Sequence, residues 1–381
     1  MMKKIAYISG NRADFGLMTP ILQAIQKSKK LELRLYTTGT HFMPEFGGTI
    51  NIVKKLFPNV KEIPVAFESD DRKGMAKFAA QFLGKLIPVL VKDKPDIVFA
   101  PCDRVEMLTA AMAALYLGIP VAHIHGGEKT STVDELARHA ITKMAHIHFA
   151  ATKESAERIK KMGEDKWRIH IVGAPVLDVI LNEKLPSRAE LYKKLNLDPK
   201  EKIILVTQHP VSEAWKDAGR QITKTFSAVK SFGLPIVVAY PNADAGGRKI
   251  IEVIKREKKN PQFRIFPHLQ HEDFLALERE AAVWVGNSSA GMIESSSFKT
   301  PVVNAGARQL GRQHGDNVIN VGYDRDEIKK AVDKSLNNKI YLAGLKKIKN
   351  PWGDGKTGPR VAKILENVEL VPKLLAKQIT Y

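Results

Sequence analysis

The sequence predicts an α/β fold made of two similar, doubly wound domains that face each other across a cleft. The 381 residues exceed what one ordinary hydrophobic core organises, which favours two domains of about 180 residues. Short β-rich runs alternate with segments of helical spacing, as in mostly parallel sheets with right-handed crossovers. This alternation stops once near the middle of the chain and then begins again.

The first series of elements predicts an N-terminal domain over residues 1–182. In its strands the apolar residues form short continuous runs, and in its helices they recur every three or four positions. The predicted strands are 4–9, 31–37, 97–100, 121–125, 147–150 and 169–172. The predicted helices are 17–27, 75–92, 106–117, 134–145 and 153–162.

The second series predicts a C-terminal domain over residues 189–357. It begins after Leu-Asn-Glu-Lys-Leu-Pro-Ser-Arg at 181–188, which we interpret as a linker. The predicted strands are 203–208, 236–239, 263–266, 283–286, 301–304 and 318–320. The last segment, 358–381, has helical spacing, and we expect it to pack back across the two domains.

The composition indicates that the protein works in a reducing compartment. Apolar residues make up 44% of the sequence, enough for a large interior, and the single cysteine, Cys102, excludes an internal disulfide. No apolar run approaches the roughly 18 residues that span a bilayer. The basic start resembles a signal peptide, but Arg12 and Asp14 arrive before an apolar region can form. We therefore expect a cytoplasmic protein with no membrane partner.

The net charge of +19 has two interpretations. Sixty Lys and Arg against 41 acids could mark a protein that binds nucleic acid or a membrane surface. The excess is spread along the chain, however, without an Arg-rich tail or interleaved aromatic residues. Solvated lysine faces and a field that attracts a small anion explain it more simply, so we expect no nucleic-acid partner.

The densest group of ionisable residues follows the predicted strand 121–125. His-Ile-His-Gly-Gly-Glu at 123–128 leads to a predicted helix with Asp134 at its start and Arg138 and His139 further along. An open α/β sheet binds its ligand beyond the carboxyl ends of its strands, where these residues lie. We therefore take His125, Glu128 and the three helix residues as candidates for the site.

Asp103 follows another predicted strand, 97–100, and should face the same cleft. Several acids in one partly dry cleft push their pKa values apart, so that one can act as a base and another as an acid. Cys102 has no evident relay, and we expect it to be a packing residue. The histidines do not form His-Glu-x-x-His, so we expect no metal.

The first loop, Ser-Gly-Asn-Arg-Ala-Asp at 9–14, lies between a strand and a helix, a position that favours anions. It is neither a dinucleotide fingerprint nor a Walker loop. Arg12 can hold a phosphate with two hydrogen bonds. From the local sequence, a surface pair of Arg12 with Asp14 around a helix cap is an equally good interpretation.

The C-terminal domain offers a nucleotide cradle. Val-Gly-Asn-Ser-Ser at 285–289 ends a strand with small hydroxyl residues at a helix start, where donors can hold a diphosphate. Glu294 can accept hydrogen bonds from ribose hydroxyls, and Arg-Gln-Leu-Gly-Arg at 308–312 offers cations to the phosphates. His209 ends another strand, and the polar loop at 241–247 follows the next one.

Taken in order, these motifs resemble the UDP-N-acetylglucosamine 2-epimerases, and specifically their hydrolysing branch. The resemblance extends over about residues 3–325. It is carried by Gly-Asn-Arg-Ala-Asp at 10–14, His-Gly-Gly-Glu-Lys-Thr at 125–130, Asp-Glu at 134–135, Arg-His-Ala-Ile-Thr-Lys at 138–143, Gly-Asn-Ser-Ser at 286–289 and Asn-Ala-Gly-Ala-Arg-Gln-Leu-Gly-Arg at 304–312. The Gly-Gly-Glu and Arg-His-Ala-Ile-Thr-Lys signatures are the specific ones.

The resemblance implies two Rossmann-like domains of the glycosyltransferase-B type, a homodimer or homotetramer, UDP held mainly by the second domain, and no cofactor or metal. It implies four catalytic residues: Asp103, Glu128, Asp134 and His209. It places Arg12 near the phosphates and implies UDP contacts by Ser288, Ser289, Glu294 and Arg308. The full set of expected substrate contacts is Arg12, Asp14, His125, Arg138, His139, Asn242, Phe266, Ser288, Ser289, Glu294 and Arg308.

The implied reaction converts UDP-GlcNAc and water to ManNAc and UDP, by anti-elimination of UDP and hydration of a 2-acetamidoglycal. This activity would supply sialic-acid-type sugar synthesis. Gly-Asn-Arg-Ala-Asp stands where the non-hydrolysing branch has Gly-Thr-Arg-Pro-Glu, and Gly-Gly-Glu where that branch has Glu-Ala-Gly, which favours hydrolysis.

The sequence leaves the sugar and the reaction partly open. Ser131 and Thr132 replace a glycine common in the family, so a UDP-2,4-diacetamido sugar is also compatible with the motifs as the substrate. Non-hydrolysing epimerisation of UDP-GlcNAc is a further reading of the same residues. A glycosyltransferase of the glycosyltransferase-B type would share the cradle and the cleft, but it would need an acceptor sugar.

Overall fold

A computed structural model describes residues 2–381 and contains two parallel β-sheets flanked by helices. Every strand pair in both sheets is parallel. The strands are β1 Lys3–Ser9, β2 Leu31–Thr37, β3 Lys61–Glu62, β4 Ile97–Pro101, β5 Val121–Ile124, β6 Ile147–Ala150, β7 Ile169–Ile171, β8 Ile203–Thr207, β9 Ile236–Ala239, β10 Phe263–Phe266, β11 Ala281–Gly286, β12 Val302–Ala305 and β13 Val318–Val321.

Helices connect these strands and cover both sheets. They are α1 Arg12–Lys27, α2 Ile50–Leu56, α3 Arg72–Asp93, α4 Val105–Tyr116, α5 Val133–Met144, α6 Lys153–Lys161, α7 Val176–Asn182, α8 Arg188–Lys194, α9 Ala218–Lys230, α10 Gly247–Arg256, α11 His271–Glu280, α12 Ser289–Ile293, α13 Ser295–Phe298, α14 Arg325–Asn337, α15 Lys339–Leu345, α16 Thr357–Asn367 and α17 Pro372–Leu375.

The sheet orders are those of two doubly wound domains. The first sheet runs β3-β2-β1-β4-β5-β6-β7 and the second runs β10-β9-β8-β11-β12-β13. In each sheet the strand order reverses beside the first strand, between β1 and β4 and between β8 and β11. Ligands of open α/β sheets bind at such switch points, beyond the carboxyl ends of the strands. The two switch points therefore define where a ligand of this molecule should lie.

The strands predicted from the sequence are confirmed with shifts of at most two residues at their ends, whereas α1 begins at Arg12, five residues before its predicted start. β5 ends at Ile124, one residue early, because His125 adopts a left-handed conformation with φ 64°. β3, a two-residue strand of exposed Lys61 and Glu62, was not predicted, since it carries no apolar pattern. Helix α5 begins at Val133, one residue before its predicted start, and Thr132 caps it: the Thr132 side chain accepts a hydrogen bond from the backbone N–H of Asp134 at 3.2 Å.

Helix α3 differs from expectation. By length and composition its 22 residues are apolar enough to cross a membrane, although the sequence analysis expected no such segment. In the structure α3 buries Phe78, Phe82, Leu86 and Leu90 in a cluster that includes residues of β1 and β2. It is therefore one of the helices packed on the first sheet.

The C-terminal segment packs back onto the first domain. Val361, Ala362 and Leu365 of α16 join the buried cluster of α1. The buried side chain of Arg168 donates hydrogen bonds to the backbone carbonyls of Leu374 at 2.8 Å and of neighbouring residues. The chain thus crosses from the second domain to the first, and the two domains are joined by more than the linker.

Candidate active site

The carboxyl ends of the two sheets meet at a narrow cavity between the domains. Its volume is about 70 Å³, much smaller than the roughly 300–1,000 Å³ of typical ligand pockets. The first domain contributes Leu17, Cys102, Asp103, His125, Thr130, Thr132, Asp134, Arg138 and Val176, and the second contributes Ser289, Ile293, Arg308, Gln309 and Arg312. A ligand larger than a few atoms does not fit within this cavity in the conformation described.

The loop after β5 brings the predicted residue His125 into this cavity and Glu128 into contact with His125. The left-handed His125 turns the chain, and Gly127 follows with φ 73°. A Cβ atom on Gly127 would lie 2.3 Å from the carbonyl oxygen of Ser155, so only glycine fits there. This turn places Glu128 under the cleft.

Glu128 is buried between two partners, the ring of His125 and the positively charged Arg312. Its Oε1 lies 2.6 Å from Nδ1 of His125, and its Oε2 pairs with the guanidinium of Arg312 from the second domain. Burial opposes ionisation, but the charge of Arg312 and the contact with His125 hold the pKa of Glu128 well below its usual range. At neutral pH Glu128 is therefore an ionised carboxylate and a weak base.

Asp103 forms the second ion pair of the site. It follows β4 and pairs with Arg138, whose side chain is fully buried. Arg138 also donates hydrogen bonds to the carbonyl of Glu128 at 2.9 Å and to the hydroxyl of Thr130 at 3.3 Å. Burial alone would raise the pKa of Asp103, but the charges of Arg138 and Arg312 hold it below its ordinary value.

Asp134 differs from these two carboxylates. Its Oδ2 lies 3.5 Å from Nη2 of Arg308 in the second domain, a longer contact than the other pairs. Burial and the negative charges of Asp103 and Asp244 raise the pKa of Asp134 to about 7. A group with this pKa can take up and release a proton near neutral pH, which the two other acids cannot.

His209 supplies a neutral hydrogen-bond donor. Its Nδ1 accepts the backbone N–H of Asn242 at 3.1 Å, so the neutral ring carries its proton on Nε2. Burial, helped by the charges of Arg308 and Arg104, holds the pKa of His209 well below its usual value. The ring therefore stays uncharged at neutral pH.

Arg104 and Asp244 form another contact across the cleft. The Nη1 atom of Arg104 lies 3.1 Å from the Oδ1 atom of Asp244, and its Nε lies 3.3 Å from the buried Glu106. Asp244 also accepts a hydrogen bond from the carboxamide of Asn242 at 2.5 Å. Asn242 is therefore held within the loop of the second domain rather than projecting freely into the cleft.

The predicted nucleotide cradle lies at the end of β11. Gly286 has φ 139°, and a Cβ there would lie 1.9 Å from the carbonyl oxygen of Thr207, so the turn needs glycine. Ser288 is the N-cap residue of α12 but its hydroxyl makes no capping hydrogen bond, and Ser289 lines the cavity. Arg308 donates to the carbonyl of Asn287 at 3.2 Å, which holds it beside the two serines.

Arg12 lies outside the cavity of Asp134. Its guanidinium bonds to Nδ1 of His268 at 2.7 Å and to the carbonyl of Leu269, both in the second domain. Together with Phe15 and His271 it lines a separate space between the domains. A contact of Arg12 with phosphates, as predicted, would require it to leave these partners.

Asp14, a predicted substrate contact, has a structural role in the first loop. It completes a capping box at the start of α1 and accepts the backbone N–H groups of Gly10 and Asn11 at 2.9 and 2.8 Å. The hydroxyl of Ser9 donates to it as well, at 2.5 Å. These bonds within the first domain occupy the carboxylate, and no surface pair with Arg12 forms.

Two other predicted contacts lie away from the cavity. His139 projects from the other side of α5, where its Nε2 lies 3.5 Å from Oε1 of Glu135. Phe266 ends β10 and packs against the buried cluster of the second domain. Both residues belong to elements that lead to the site, but neither lines the cavity of Asp103 and Asp134. Glu294 is buried beside Glu278, away from the ion pairs.

For three residues of the site, the sequence analysis missed the contacts that the structure shows. Arg312 was only a general cation there, yet it holds Glu128 from across the cleft. Asp244 lies in the polar loop that the sequence did single out. Trp352, whose ring centroid is 6.4 Å from that of His125, belongs to no recognisable motif, and only the folded C-terminal segment brings it there.

A second cavity, of about 450 Å³, shares Asp103 and Asp134 with the first. Its remaining walls come mainly from apolar residues of α3, α4 and α5. They are Met75, Ala76, Ala79, Val105, Leu108, Val133, Leu136 and Ala137, with Arg72, Ser212 and Glu213 at the rim. The two acids therefore stand between a polar cavity and an apolar one. Within residues 2–381, no three acidic, histidine or cysteine side chains group as metal ligands would.

Comparison with known proteins gives a consistent picture. A family model described as UDP-N-acetylglucosamine 2-epimerase matches residues 23–366. A Legionella pneumophila protein named UDP-N,N'-diacetylbacillosamine 2-epimerase (hydrolyzing) is 39% identical over 382 residues, which cover 100% of both chains. A Neisseria meningitidis protein named UDP-N-acetylglucosamine 2-epimerase is 32% identical over 335 residues, or 88% of each chain.

A solved structure confirms the fold. The UDP-GlcNAc 2-epimerase of Methanocaldococcus jannaschii, in complex with UDP-GlcNAc and UDP, superposes with a TM-score of 0.78. The superposition covers 95% of this chain and 99% of the other, at 22% sequence identity. The predicted pair of Rossmann-like domains of the glycosyltransferase-B type is therefore confirmed.

Proposed function

The chain belongs to the UDP-N-acetylglucosamine 2-epimerase family, and from this membership we propose that it is a hydrolysing 2-epimerase of UDP-N,N'-diacetylbacillosamine. The observation that carries the elimination of UDP is the contact of Asp134 with Arg308. It joins an acid that titrates near neutral pH to a cation able to hold a diphosphate. The full-length similarity to the Legionella protein supports the choice of sugar.

The apolar cavity also supports a diacetamido sugar. At C4, N,N'-diacetylbacillosamine carries an acetamido group where GlcNAc has a hydroxyl group. Its C6 is a methyl group, whereas C6 of GlcNAc carries a hydroxyl group. An apolar wall beside Asp103 and Asp134 can pack against a methyl group, whereas it offers few hydrogen-bond partners to hydroxyl groups. UDP-GlcNAc, which the sequence analysis expected, is the second candidate because the Neisseria relative bears that name.

In the first step, Asp134 removes the proton at C2 of the sugar. The electron pair of the C2–H bond forms a C1=C2 double bond, while the bond from C1 to the diphosphate oxygen breaks and UDP leaves. The pKa of about 7 lets Asp134 accept this proton at neutral pH. A bound diphosphate would also compete for Arg308 and weaken its pull on Asp134, which makes the carboxylate more basic.

Charge on the leaving UDP must be stabilised while the C1–O bond breaks. Arg308, the hydroxyl groups of Ser288 and Ser289, and the Nε2–H of His209 are the donors that we assign to the diphosphate. In the second step, water adds across the C1=C2 bond: its oxygen bonds to C1, and a proton supplied by water bonds to C2 on the face opposite to the one that lost its proton. Asp134 releases the proton it took to the solvent. The products are UDP and a free sugar with inverted configuration at C2.

Glu128 and Arg312 act on the domains rather than on the C2 proton. Their buried pair joins the domains beneath the cavity, so it favours the closed state in which water is excluded during elimination. Arg138 in turn holds Asp103 and the loop of Glu128 together. The cytoplasmic location and a homodimeric or homotetrameric assembly remain expectations from the composition and the resemblance.

Release of UDP in the absence of any acceptor tests the proposal. Purified protein is given UDP-N,N'-diacetylbacillosamine or UDP-GlcNAc as the only sugar nucleotide, and UDP is measured. We expect UDP from both or from the first alone, with the larger kcat/KM for the diacetamido sugar. Turnover that requires an added acceptor would indicate a glycosyltransferase. Salt-sensitive binding of a random oligonucleotide, with no affinity for UDP, would indicate a nucleic-acid-binding protein.

A further inference from the structure

One buried histidine lies where the three segments that carry the active-site acids come together. His123 is the third residue of β5, and its side chain is fully buried. Its ring contacts the loop that leads to Asp103, the loop that leads to Glu128 and the helix α5 that carries Asp134. The ring does not line the cavity itself, so any effect on the reaction must pass through these three segments.

One ring nitrogen is bonded to the loop that leads to Asp103. The Nε2 atom of His123 lies 2.7 Å from the backbone carbonyl oxygen of Cys102. A carbonyl oxygen only accepts hydrogen bonds, so Nε2 carries the proton and donates it. The backbone N–H of Cys102 in turn donates to the carbonyl of Ile124 at 2.9 Å. Both polar backbone groups of Cys102 are therefore bonded to β5.

These bonds hold Cys102 in an unusual conformation. Cys102 has φ 58°, in the left-handed region that residues with a Cβ atom seldom adopt. Such a conformation persists only where the surrounding structure holds it. Asp103 is the next residue, and this turn directs it toward the buried Arg138, with which it pairs. Without the bond from His123, the carbonyl of Cys102 would lose this donor and the turn could relax.

The other ring nitrogen contacts α5. Burial lowers the pKa of His123 to about 3, so the ring is neutral and its Nδ1 atom is an acceptor. Nδ1 lies 3.2 Å from the hydroxyl oxygen of Thr142, which lies 3.0 Å from the backbone carbonyl of Arg138. A Cβ atom on Gly126 would lie 2.9 Å from both Nδ1 and that hydroxyl, so the loop before Glu128 rests directly on this contact.

We infer that His123 is a positioning residue for the elimination of UDP: its ring joins the segments of the three active-site acids and so fixes Asp103 relative to Asp134. The effect on catalysis rests on the proposed function. The hold on the turn at Cys102 needs no substrate, so it can be tested separately.

The position of Asp103 matters for the pH at which Asp134 acts as a base. The negative charges of Asp103 and Asp244 oppose ionisation of Asp134, whereas the positive charges of Arg308 and Arg104 favour it. Arg104 is anchored to Asp244 across the cleft at 3.1 Å, independently of His123. If Asp103 turns away, Asp134 should therefore ionise at a lower pH.

Labelling of Cys102 tests the hold on the turn without any substrate. Cys102 is the single cysteine of the chain, so the rate at which a small maleimide reacts with the protein reports on this residue alone. His123→Leu removes both ring nitrogens, and we expect labelling to become roughly tenfold faster as the thiol is exposed. His123→Gln, whose amide can donate to the same carbonyl, should label as the wild type does.

His146→Leu is the matched control. His146 is also buried, and its Nδ1 accepts the backbone N–H of Val121 at the start of β5, at 3.1 Å. This change should lower the melting temperature, as His123→Leu does, but leave the labelling rate unchanged. Thr142→Val removes the hydroxyl on the other side of the His123 ring and keeps the shape of the side chain. It should give a smaller acceleration, and it decides the matter if His123→Leu does not fold.

The pH dependence of UDP release tests the effect on catalysis. The rise of kcat/KM through about pH 7 in the wild type should move down by about one pH unit in His123→Leu. It should stay in place in His123→Gln and His146→Leu. An unchanged profile in His123→Leu, despite faster labelling, would overturn the role in catalysis.

The labelling outcomes are independent of the proposed function. Wild-type labelling rates in His123→Leu and Thr142→Val, or equally fast labelling in His146→Leu, would overturn the inference. If the wild type releases no UDP from either sugar nucleotide, the proposed function is wrong and the role of His123 in elimination falls with it. Faster labelling in His123→Leu that His123→Gln reverses, together with the shifted profile, would support the inference.

Discussion

Glu128 of the first domain and Arg312 of the second domain form a buried ion pair that joins the two domains beneath the active-site cavity. The side chains are 1% and 7% exposed, so water screens the pair little. Removing one partner of such a pair leaves an uncompensated buried charge, at a cost of about 3–5 kcal/mol. Closure of the cleft should therefore depend on both residues.

Arg312→Gln is predicted to shift the protein toward an open state. We expect a larger radius of gyration in small-angle X-ray scattering, since the cost falls on the closed state alone. Arg248→Gln is the matched control, because Arg248 pairs with Glu45 across the domains on the exposed surface. Exposed pairs contribute about 0–1 kcal/mol, so the control should scatter like the wild type. Equal scattering by all three proteins would contradict this role for Arg312.

Asp134→Asn is predicted to lower kcat by roughly 10²–10⁴, the range typical for loss of a general acid or base. Because the base must be ionised, wild-type kcat/KM should rise with pH through about 7, and the variant should lack this rise. Glu157→Gln, which changes an exposed residue of α6, serves as the control. If Asp134→Asn keeps the rise of kcat/KM with pH, the group that titrates near pH 7 is not Asp134.

Arg308→Ala is predicted to weaken the binding of UDP much more than the binding of uridine, because only UDP carries the negative charge that Arg308 contacts. Loss of a charge-assisted hydrogen bond costs about 1.5–3 kcal/mol, which is roughly tenfold or more in affinity. Calorimetric titration of both ligands measures the difference. An equal loss of affinity for both ligands would indicate that Arg308 supports the fold of its loop. An unchanged affinity for UDP would indicate that the phosphates bind nearer Arg12.

Much of this site could be predicted from sequence because its residues follow strands. Asp103, Glu128 and His209 come shortly after β4, β5 and β8, and parallel strands end at one edge of their sheet. Pairing between domains is different, since no local pattern relates Glu128 to Arg312 across the 184 positions between them. Trp352 is likewise brought to His125 only by the path of the C-terminal segment.

Local sequence also left two roles open for Asp14 in the first loop, and only side-chain geometry separates them. Asp14 stands at a position that either a helix cap or a ligand contact can use, and the structure shows a buried capping box.

His139 is one residue from Arg138, but a step of one residue rotates a helical side chain by about 100°. That rotation explains why Arg138 faces the cavity and His139 does not.

Leu136→Asn is predicted to change substrate preference rather than overall activity. Leu136 is exposed on α5 and lines the apolar cavity beside Asp134, so the change should leave the fold intact. We expect kcat/KM for UDP-N,N'-diacetylbacillosamine to fall about tenfold relative to UDP-GlcNAc, the scale of one lost apolar contact. Leu115→Asn on α4, outside the cavity, should change neither. Equal losses for both substrates would leave the cavity without a role in specificity.

The central claim is that the C1–O bond to UDP breaks and that C2 exchanges its proton and inverts. Proton NMR of the reaction in D₂O observes both events at once. With UDP-N,N'-diacetylbacillosamine, we expect UDP and a free 2,4-diacetamido-2,4,6-trideoxy sugar of the manno configuration, with deuterium at C2. Accumulation of a C2-inverted sugar still attached to UDP, or a free sugar that keeps its C2 proton and configuration, would contradict the proposed reaction.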